Sequence, residues 1–272
     1  PVRWTRIWRR PWLNLRSHRK IVVIDGTIAF TGGINVTDEQ DERLRDDAYR
    51  DLHLRIEGDI VRQLELVFVE DWAYATEQPP LPLPEQPVAA GDVAAQVVAC
   101  GPDSPWEAIH RVHVSAIHAA RRRVWLMTPY FVPGEAARMA LTSAALGGLD
   151  VRLLVPKMSD SRLVTYAARS YFDELLAAGV RIFEYGPRLL HSKALLCDEN
   201  FAILGSANFD HRSFRLNFEV SVMFLDTALA EELSEVIAAE CERGVPVQHD
   251  RSRPLWRSRL PEALARLVSP LL

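Results

Sequence analysis

Two segments of this 272-residue chain place a histidine, a lysine and an aspartate at the same spacing. The first runs His18-Arg-Lys20-Ile-Val-Val-Ile-Asp25 and reaches Gly32-Gly33-Ile34-Asn35 after six further residues. The second runs His191-Ser-Lys193-Ala-Leu-Leu-Cys-Asp198 and reaches Gly205-Ser206-Ala207-Asn208 after the same interval, every matched pair being offset by 173 residues. One His-x-Lys-x4-Asp match is expected about 0.005 times in a chain of this composition, so two in register form a specific signal. Only three of the 32 basic residues are lysines, and two of the three sit in these motifs.

The spacing has a chemical sense. On an extended segment residues i and i+2 share a face, so His18 projects with Lys20 and His191 with Lys193. Gly32, Gly33 and Gly205 leave space for an anionic ligand to approach the turns that carry Asn35 and Asn208. Two imidazoles, two ammonium groups and two carboxamides suit a phosphate diester. The lysines supply charge, Asn35 and Asn208 supply hydrogen bonds, and one histidine attacks phosphorus while the other protonates the leaving oxygen. Asp25 and Asp198 are candidate catalytic residues by their place in the motif, although an aspartate there more often opens a hairpin turn. His110, His113, His118 and His249 have no duplicated context and read as core histidines.

The elements that must position these groups alternate between strand and helix. The pattern predicts strands at Val124–Met127, Val151–Val155, Val180–Tyr185, Lys193–Cys197, Phe201–Leu204 and Glu219–Leu225. It predicts helices over Glu135–Leu146, Ser161–Ala178 and about Ala228–Cys241, the first two closed by glycines. The first part shows strands at Lys20–Ile24, Ile28–Thr31 and Leu52–Ile56 and a helix over about Asp59–Ala75. Such alternation implies an α/β fold with a mostly parallel sheet covered by helices. Five prolines between Pro79 and Pro87 make residues 77–92 a stiff linker, which separates residues 1–76 from residues 93–272.

Composition narrows the class. Apolar residues make up 48% and charged residues 25%, values of a globular chain with a sizeable core. The longest uncharged run, Gly26–Thr37, is too short to span a bilayer. Cys100, Cys197 and Cys241 are widely separated, against a disulfide framework or a zinc site. No other group of His, Cys, Asp or Glu has metal-ligand spacing and the two lysines repel a divalent cation, so no metal or cofactor is expected and activity should survive chelators. A net charge of −4 gives no reason to expect nucleic acid as a partner. The basic ends, with Arg3, Arg6, Arg9, Arg10, Arg251, Arg253, Arg257, Arg259 and Arg266 among Trp4, Trp8, Trp12 and Trp256, suit an anionic membrane surface, beside the plainer reading of a solvated basic face.

The paired motifs resemble the HKD signatures of the phospholipase D superfamily, and more of the text resembles bacterial cardiolipin synthases. The resembling segments are Ser17–Asn35, Thr128–Pro133, Val151–Tyr185 and Leu190–Phe224. The resemblance implies a pair of α/β/α lobes with mixed, mostly parallel sheets. It implies a phosphatidyltransferase that forms cardiolipin from phosphatidylglycerol through a phosphohistidine, with His18 as nucleophile and His191 as general acid and base. It further implies that Asp51 and Glu219, each early in the strand after its motif, orient the histidine rings. Phospholipase-type or nuclease-type hydrolysis and a catalytically silent remnant are the alternatives. The second copy has three strands and two helices before its motif, whereas seventeen residues precede His18, so the first lobe is expected to be incomplete and to expose sheet edges and apolar faces. A location at the bacterial cell membrane, through hydrophobic anchors upstream of this chain, completes these expectations.

Overall fold

A computed structural model describes residues 16–82, 90–249 and 253–269. Of the features singled out above, Arg3, Arg6, Arg9, Arg10, Trp4, Trp8, Trp12, Pro84, Pro87 and Arg251 lie outside the described residues. The chain opens with strands β1 (Arg16–Ser17), β2 (Ile21–Ile24), β3 (Ile28–Gly32) and β4 (His53–Glu57), then helix α1 (Ile60–Thr76). There follow β5 (Ala94–Cys100), α2 (Ala108–Ala119), β6 (Arg123–Met127), β7 (Phe131–Val132), α3 (Glu135–Leu146) and β8 (Asp150–Pro156). Helices α4 (Arg162–Arg169) and α5 (Phe172–Ala177) lead to β9 (Arg181–Tyr185), β10 (Ala194–Cys197), β11 (Phe201–Gly205) and β12 (Phe209–Asp210). The last elements are α6 (His211–Arg215), β13 (Asn217–Leu225), α7 (Thr227–Arg243), β14 (Val245–Pro246) and α8 (Leu260–Val268).

Nine strands form one mixed sheet in the order β1-β13-β11-β10-β6-β8-β9-β14, with β5 also on β13. Alternation along the strands loads both faces. Val124, Leu126, Leu153 and Leu195 pack on one side with Ile109, Ile117, Leu141 and Phe172. Trp125, Met127, Leu154 and Leu196 pack on the other with Leu233 and Ile237 of α7. Helices therefore cover both faces of the sheet. Its parallel share is smaller than the alternation implied. β6 with β8 and β8 with β9 are parallel across their helical crossovers, and β1 joins β13 in parallel. The β10–β11 hairpin is antiparallel, as are its neighbours β6 and β13, and β13 pairs antiparallel with β5 over seven residues.

A second sheet, β2-β3-β4, carries α1. Its inner face is covered by the large sheet, where Ala29, Val61 and Leu64 meet Val220. Val22 and Ile24 of β2 and Leu66, Phe68 and Trp72 of α1 are exposed.

Most predicted elements are found within a residue or two of their expected ends, but the helix expected over Ser161–Ala178 is two helices. At the joint the Ser170 hydroxyl donates to the Ala167 carbonyl (2.6 Å) and the Tyr171 N–H turns to Ala168. A serine hydroxyl competing for a helix carbonyl weakens the ladder, and Tyr171 is anchored elsewhere, its hydroxyl 3.0 Å from Ser269 and its ring under Arg266.

Candidate active site

Backbone pairing places each motif histidine. Ser17 of β1 pairs with Phe218 of β13, and the His18 N–H extends the ladder to the Phe218 carbonyl (2.9 Å). The next residue of β13 is Glu219, so the His18 ring falls on its carboxylate, with Nδ1 2.9 and 3.0 Å from the two oxygens. The other motif repeats this arrangement. The His191 N–H donates to the Arg50 carbonyl (2.7 Å), the next residue is Asp51, and His191 Nδ1 lies 2.6 Å from Asp51 Oδ2. Each histidine is thus held by the acid that follows the opposite motif.

Two glycines make this approach feasible. A Cβ on Gly32 would stand 2.6 Å from the Leu52 carbonyl oxygen, and one on Gly205 would stand 2.5 Å from the Val220 carbonyl oxygen. Leu52 and Val220 directly follow the two acids, so the missing side chains admit the acid-bearing strands and not, as expected, the ligand. Gly33 is tighter still, since a Cβ there would lie 2.0 Å from Asp51 Oδ1.

The carboxylates are buried and well supplied with donors. Glu219, fully buried, accepts from the Ser206 hydroxyl (2.5 Å) and from Asn217 Nδ2 (3.1 Å). Asp51, with its side chain 2% exposed, accepts from the Leu52 N–H (2.8 Å) and from Gln40 Nε2 (3.0 Å). Donation from Nδ1 to a carboxylate fixes the tautomer and leaves Nε2 of each neutral ring with its lone pair. Burial, together with Lys193 and Lys20, pulls the pKa of His191 below the ordinary value, while Asp51 holds it up.

Each lysine turns back to its own histidine, Lys20 donating to the His18 carbonyl (2.7 Å) and Lys193 to that of His191. Both pairs sit just before their strands and not in them, so the strand alternation from which a shared face was expected does not reach them. Burial lowers the Lys20 ammonium to about 8 and the Lys193 ammonium to about 7, against the opposing pull of Asp51 and Glu219 on both. Since both lysines feel both acids, the two halves form one electrostatic site. Beside it Asp210 is buried, and burial together with Glu219 pushes its carboxyl up to about 6 against the Ser213 N–H that it accepts.

Asp25 and Asp198 do not join this set. Both adopt left-handed backbone (φ 51° and 56°) at the hairpin turns, with Asp198 roughly 16 Å along β10 from Lys193 at about 3.3 Å per residue. The Asp198 carboxylate accepts the backbone N–H groups of Arg121, Arg122 and Arg123, which makes it a turn residue. Asn208 is buried, with Oδ1 lacking a partner among the described residues and its N–H on the Ser213 hydroxyl (3.1 Å). Asn35 is half-buried, and its N–H donates to the Gln40 side chain. Sequence reasoning missed Gln40, Ser206, Asn217 and Tyr49, whose ring centroid lies 5.9 Å from that of His191. Ser206 carried a signal, because it replaces Gly33 within the repeat. Among the described residues no group of three or more His, Cys, Asp or Glu could hold a metal ion.

Comparison with known proteins gives the following similarities. Residues 114–240 match the family model described as cardiolipin synthase, PLD-like domain. The chain is 44% identical over 270 residues to a cardiolipin synthase of Geobacillus sp. (strain WCH70), covering 96% of this chain and 53% of that protein. It is 43% identical over 273 residues to cardiolipin synthase A of Pseudomonas putida (strain GB-1), covering 97% of this chain and 57% of that one. The chain thus spans about half the length of the curated relatives that it matches. Among solved structures, phosphatidylserine synthase of Haemophilus influenzae Rd KW20 shares the fold with a TM-score of 0.70 at 14% identity, over 96% of this chain and 72% of that one. Nuc of Salmonella typhimurium, a phospholipase D family member, gives a TM-score of 0.50 at 22% identity, over 58% of this chain and 99% of that one.

Proposed function

We propose that this chain is a member of the phospholipase D superfamily and the catalytic portion of a phosphatidyltransferase that makes cardiolipin from phosphatidylglycerol. The observation that carries the reading is the crossed pair of histidine–acid contacts beside buried Lys193 and half-buried Lys20. The lysine ammonium groups bind the phosphate of the donor lipid. His18 Nε2 attacks phosphorus while His191, protonated, gives its Nε2 proton to the departing glycerol oxygen, leaving a phosphatidyl–His18 intermediate. The terminal hydroxyl of a second phosphatidylglycerol then gives its proton to His191 and attacks phosphorus, releasing cardiolipin and free His18. Glu219 stabilises the charge that develops on His18, and Asp51 holds His191 in the tautomer that both steps need. The depressed pKa of His191 makes its proton easy to release to glycerol and favours the base role of the second step, while the first step draws on the protonated fraction of the ring.

In this reading residues 1–76 and 93–272 are two lobes joined by the 77–92 linker, and each lobe lends the other an acid. The working surface is an anionic membrane, in keeping with a place at the bacterial cell membrane. No helix among the described residues is long and apolar enough to cross a membrane. The C-terminal segment supports contact with a lipid surface: α8 buries Glu262 and Ala265 but exposes Leu260, Leu264, Leu267 and Val268, a stripe that Trp256 extends by one turn. Exposed Arg259 lies beside it, while Glu262 is neutralised by Arg253.

Incubation with phosphatidylglycerol vesicles, followed by separation of the lipids, tests the proposal. Cardiolipin with one equivalent of glycerol is expected. Phosphatidic acid as the sole lipid product would replace transfer by hydrolysis, and absence of any product would remove the activity from this chain.

A further inference from the structure

The two halves of the site share a plan, but their acids are secured by different donors. In the second copy the Ser206 hydroxyl, just after Gly205, donates to Glu219. The residue at the matching place in the first copy is Gly33, which has no hydroxyl and no room for one beside Asp51. The donor there comes from outside the repeat. Gln40, on the short 3-10 turn Asp38–Gln40, directs its carboxamide inward. Its Nε2 lies 3.0 Å from Asp51 Oδ2 and 3.0 Å from His191 Nδ1, and its Oε1 accepts the Asn35 N–H. Gln40 therefore ties the turn after the first motif to the histidine–acid pair built around the second.

We propose that Gln40 is a positioning residue for His191, holding Asp51 Oδ2 in line with the ring and limiting how strongly that carboxylate draws a proton onto it. The proposal rests on the reading of His191 as the general acid and base. By donating to Asp51 Oδ2, the Gln40 amide spreads part of the carboxylate charge, and its N–H dipole faces the edge of the ring that carries Nδ1–H. Both effects disfavour the imidazolium. The other groups facing His191 are Asp51, which favours the cation, and Lys193 and Lys20, which oppose it, with the Tyr49 ring alongside. Removing the Gln40 amide leaves Asp51 a stronger proton magnet, so the His191 pKa rises and the ring is slower to give up its proton.

Two variants of similar volume separate this role from a tie within the loop. Gln40→Met loses both functions of the carboxamide. Gln40→Glu keeps an oxygen acceptor for the Asn35 N–H but removes the donor to Asp51 and adds charge. The readouts are the imidazole titrations of His191 and His18 by NMR, with the His191→Ala and His18→Ala proteins to assign them, and the pH profile of turnover. Both variants are expected to raise the His191 titration, Gln40→Glu further than Gln40→Met, with His18 unmoved. Turnover should fall about tenfold or more with KM little changed, the acid limb moving to higher pH, as for loss of an outer hydrogen bond to a working group. Full activity in Gln40→Glu with a defect in Gln40→Met would reduce Gln40 to a loop tie. An unmoved His191 titration in both would overturn the proposal. Full activity of the His191→Ala protein would instead sink the functional reading and leave the NMR result standing on its own.

Discussion

Lys193 is 3% exposed, and burial carries its ammonium down to about 7, with Lys20 at about 8. A phosphodiester keeps its single negative charge through this range, so it binds best where both lysines are charged. Binding raises their pKa values and takes up protons above pH 7. Affinity for a non-cleavable diester is therefore expected to fall by up to about tenfold per pH unit as pH rises through about 7 to 8. Calorimetry in buffers of different ionisation heat checks both the slope and the proton uptake, and an affinity constant from pH 6.5 to 9 would contradict the assignment. The sign for the unliganded fold follows from the same depression. The unfolded chain keeps these lysines charged up to about pH 10.5 while the folded state has released their protons, so between about 7 and 10.5 their contribution makes stability rise with pH. A second residue-level test uses the asymmetry of the repeat. Ser206 is accommodated in one copy, but Gly33→Ser would drive a Cβ into the Asp51 carboxylate. Turnover should drop at least about 100-fold as His191 loses its partner, with far-ultraviolet circular dichroism unchanged. Near-normal kinetics in that variant would show that the Asp51 contact is dispensable.

At the scale of elements, the hairpins after the motifs serve the fold. Asp198 caps three consecutive backbone N–H groups at the start of β6, whereas Asp25 is exposed at its own turn. Loss of a buried or part-buried acceptor costs about 1–3 kcal/mol, so Asp198→Ala should lower the melting temperature by a few degrees with kcat within about twofold, and Asp25→Ala should do less. A collapse of kcat in Asp198→Ala at unchanged stability would return that residue to the catalytic set. What was legible here was local. The short apolar runs Ile21–Ile24 and Ala194–Cys197, the glycine stops and the His-x-Lys spacing all depend on neighbours in the chain. The joint at Ser170 was not legible, because it depends on Tyr171 being drawn to Ser269 and Arg266 nearly a hundred residues away. Nor was β5, whose Ala-rich text declares no face until it lies along β13. The expectation of a mostly parallel sheet generalised from three strands with helical crossovers to a sheet whose centre is a hairpin.

For the whole molecule, the decisive arrangement is the exchange of acids between the two motif copies. The sequence identifies Asp51 and Glu219 as candidates through resemblance, but the crossing depends on a two-residue strand, Arg16–Ser17, pairing with β13 two hundred residues later. No local pattern announces such a contact. Gln40 was invisible for a related reason, since it has no counterpart in the repeat. If the outward leucines of α8 meet lipid as proposed, Leu264→Glu combined with Leu267→Glu should abolish co-sedimentation with phosphatidylglycerol vesicles while leaving the melting temperature in place; unchanged binding would remove that face from the account. On the proposed reading two histidines, each steadied by the acid that follows the other motif, share one phosphatidyl transfer with His18 as the nucleophile. Mass spectrometry of protein quenched during turnover on phosphatidylglycerol tests it most directly. The account predicts a phosphatidyl adduct that maps to His18, accumulates in the His191→Ala protein when an activated donor with a leaving group that needs no proton is supplied, and is absent from the His18→Ala protein. An adduct on His191 in the His18→Ala protein, or sustained cardiolipin formation by that protein, would contradict it.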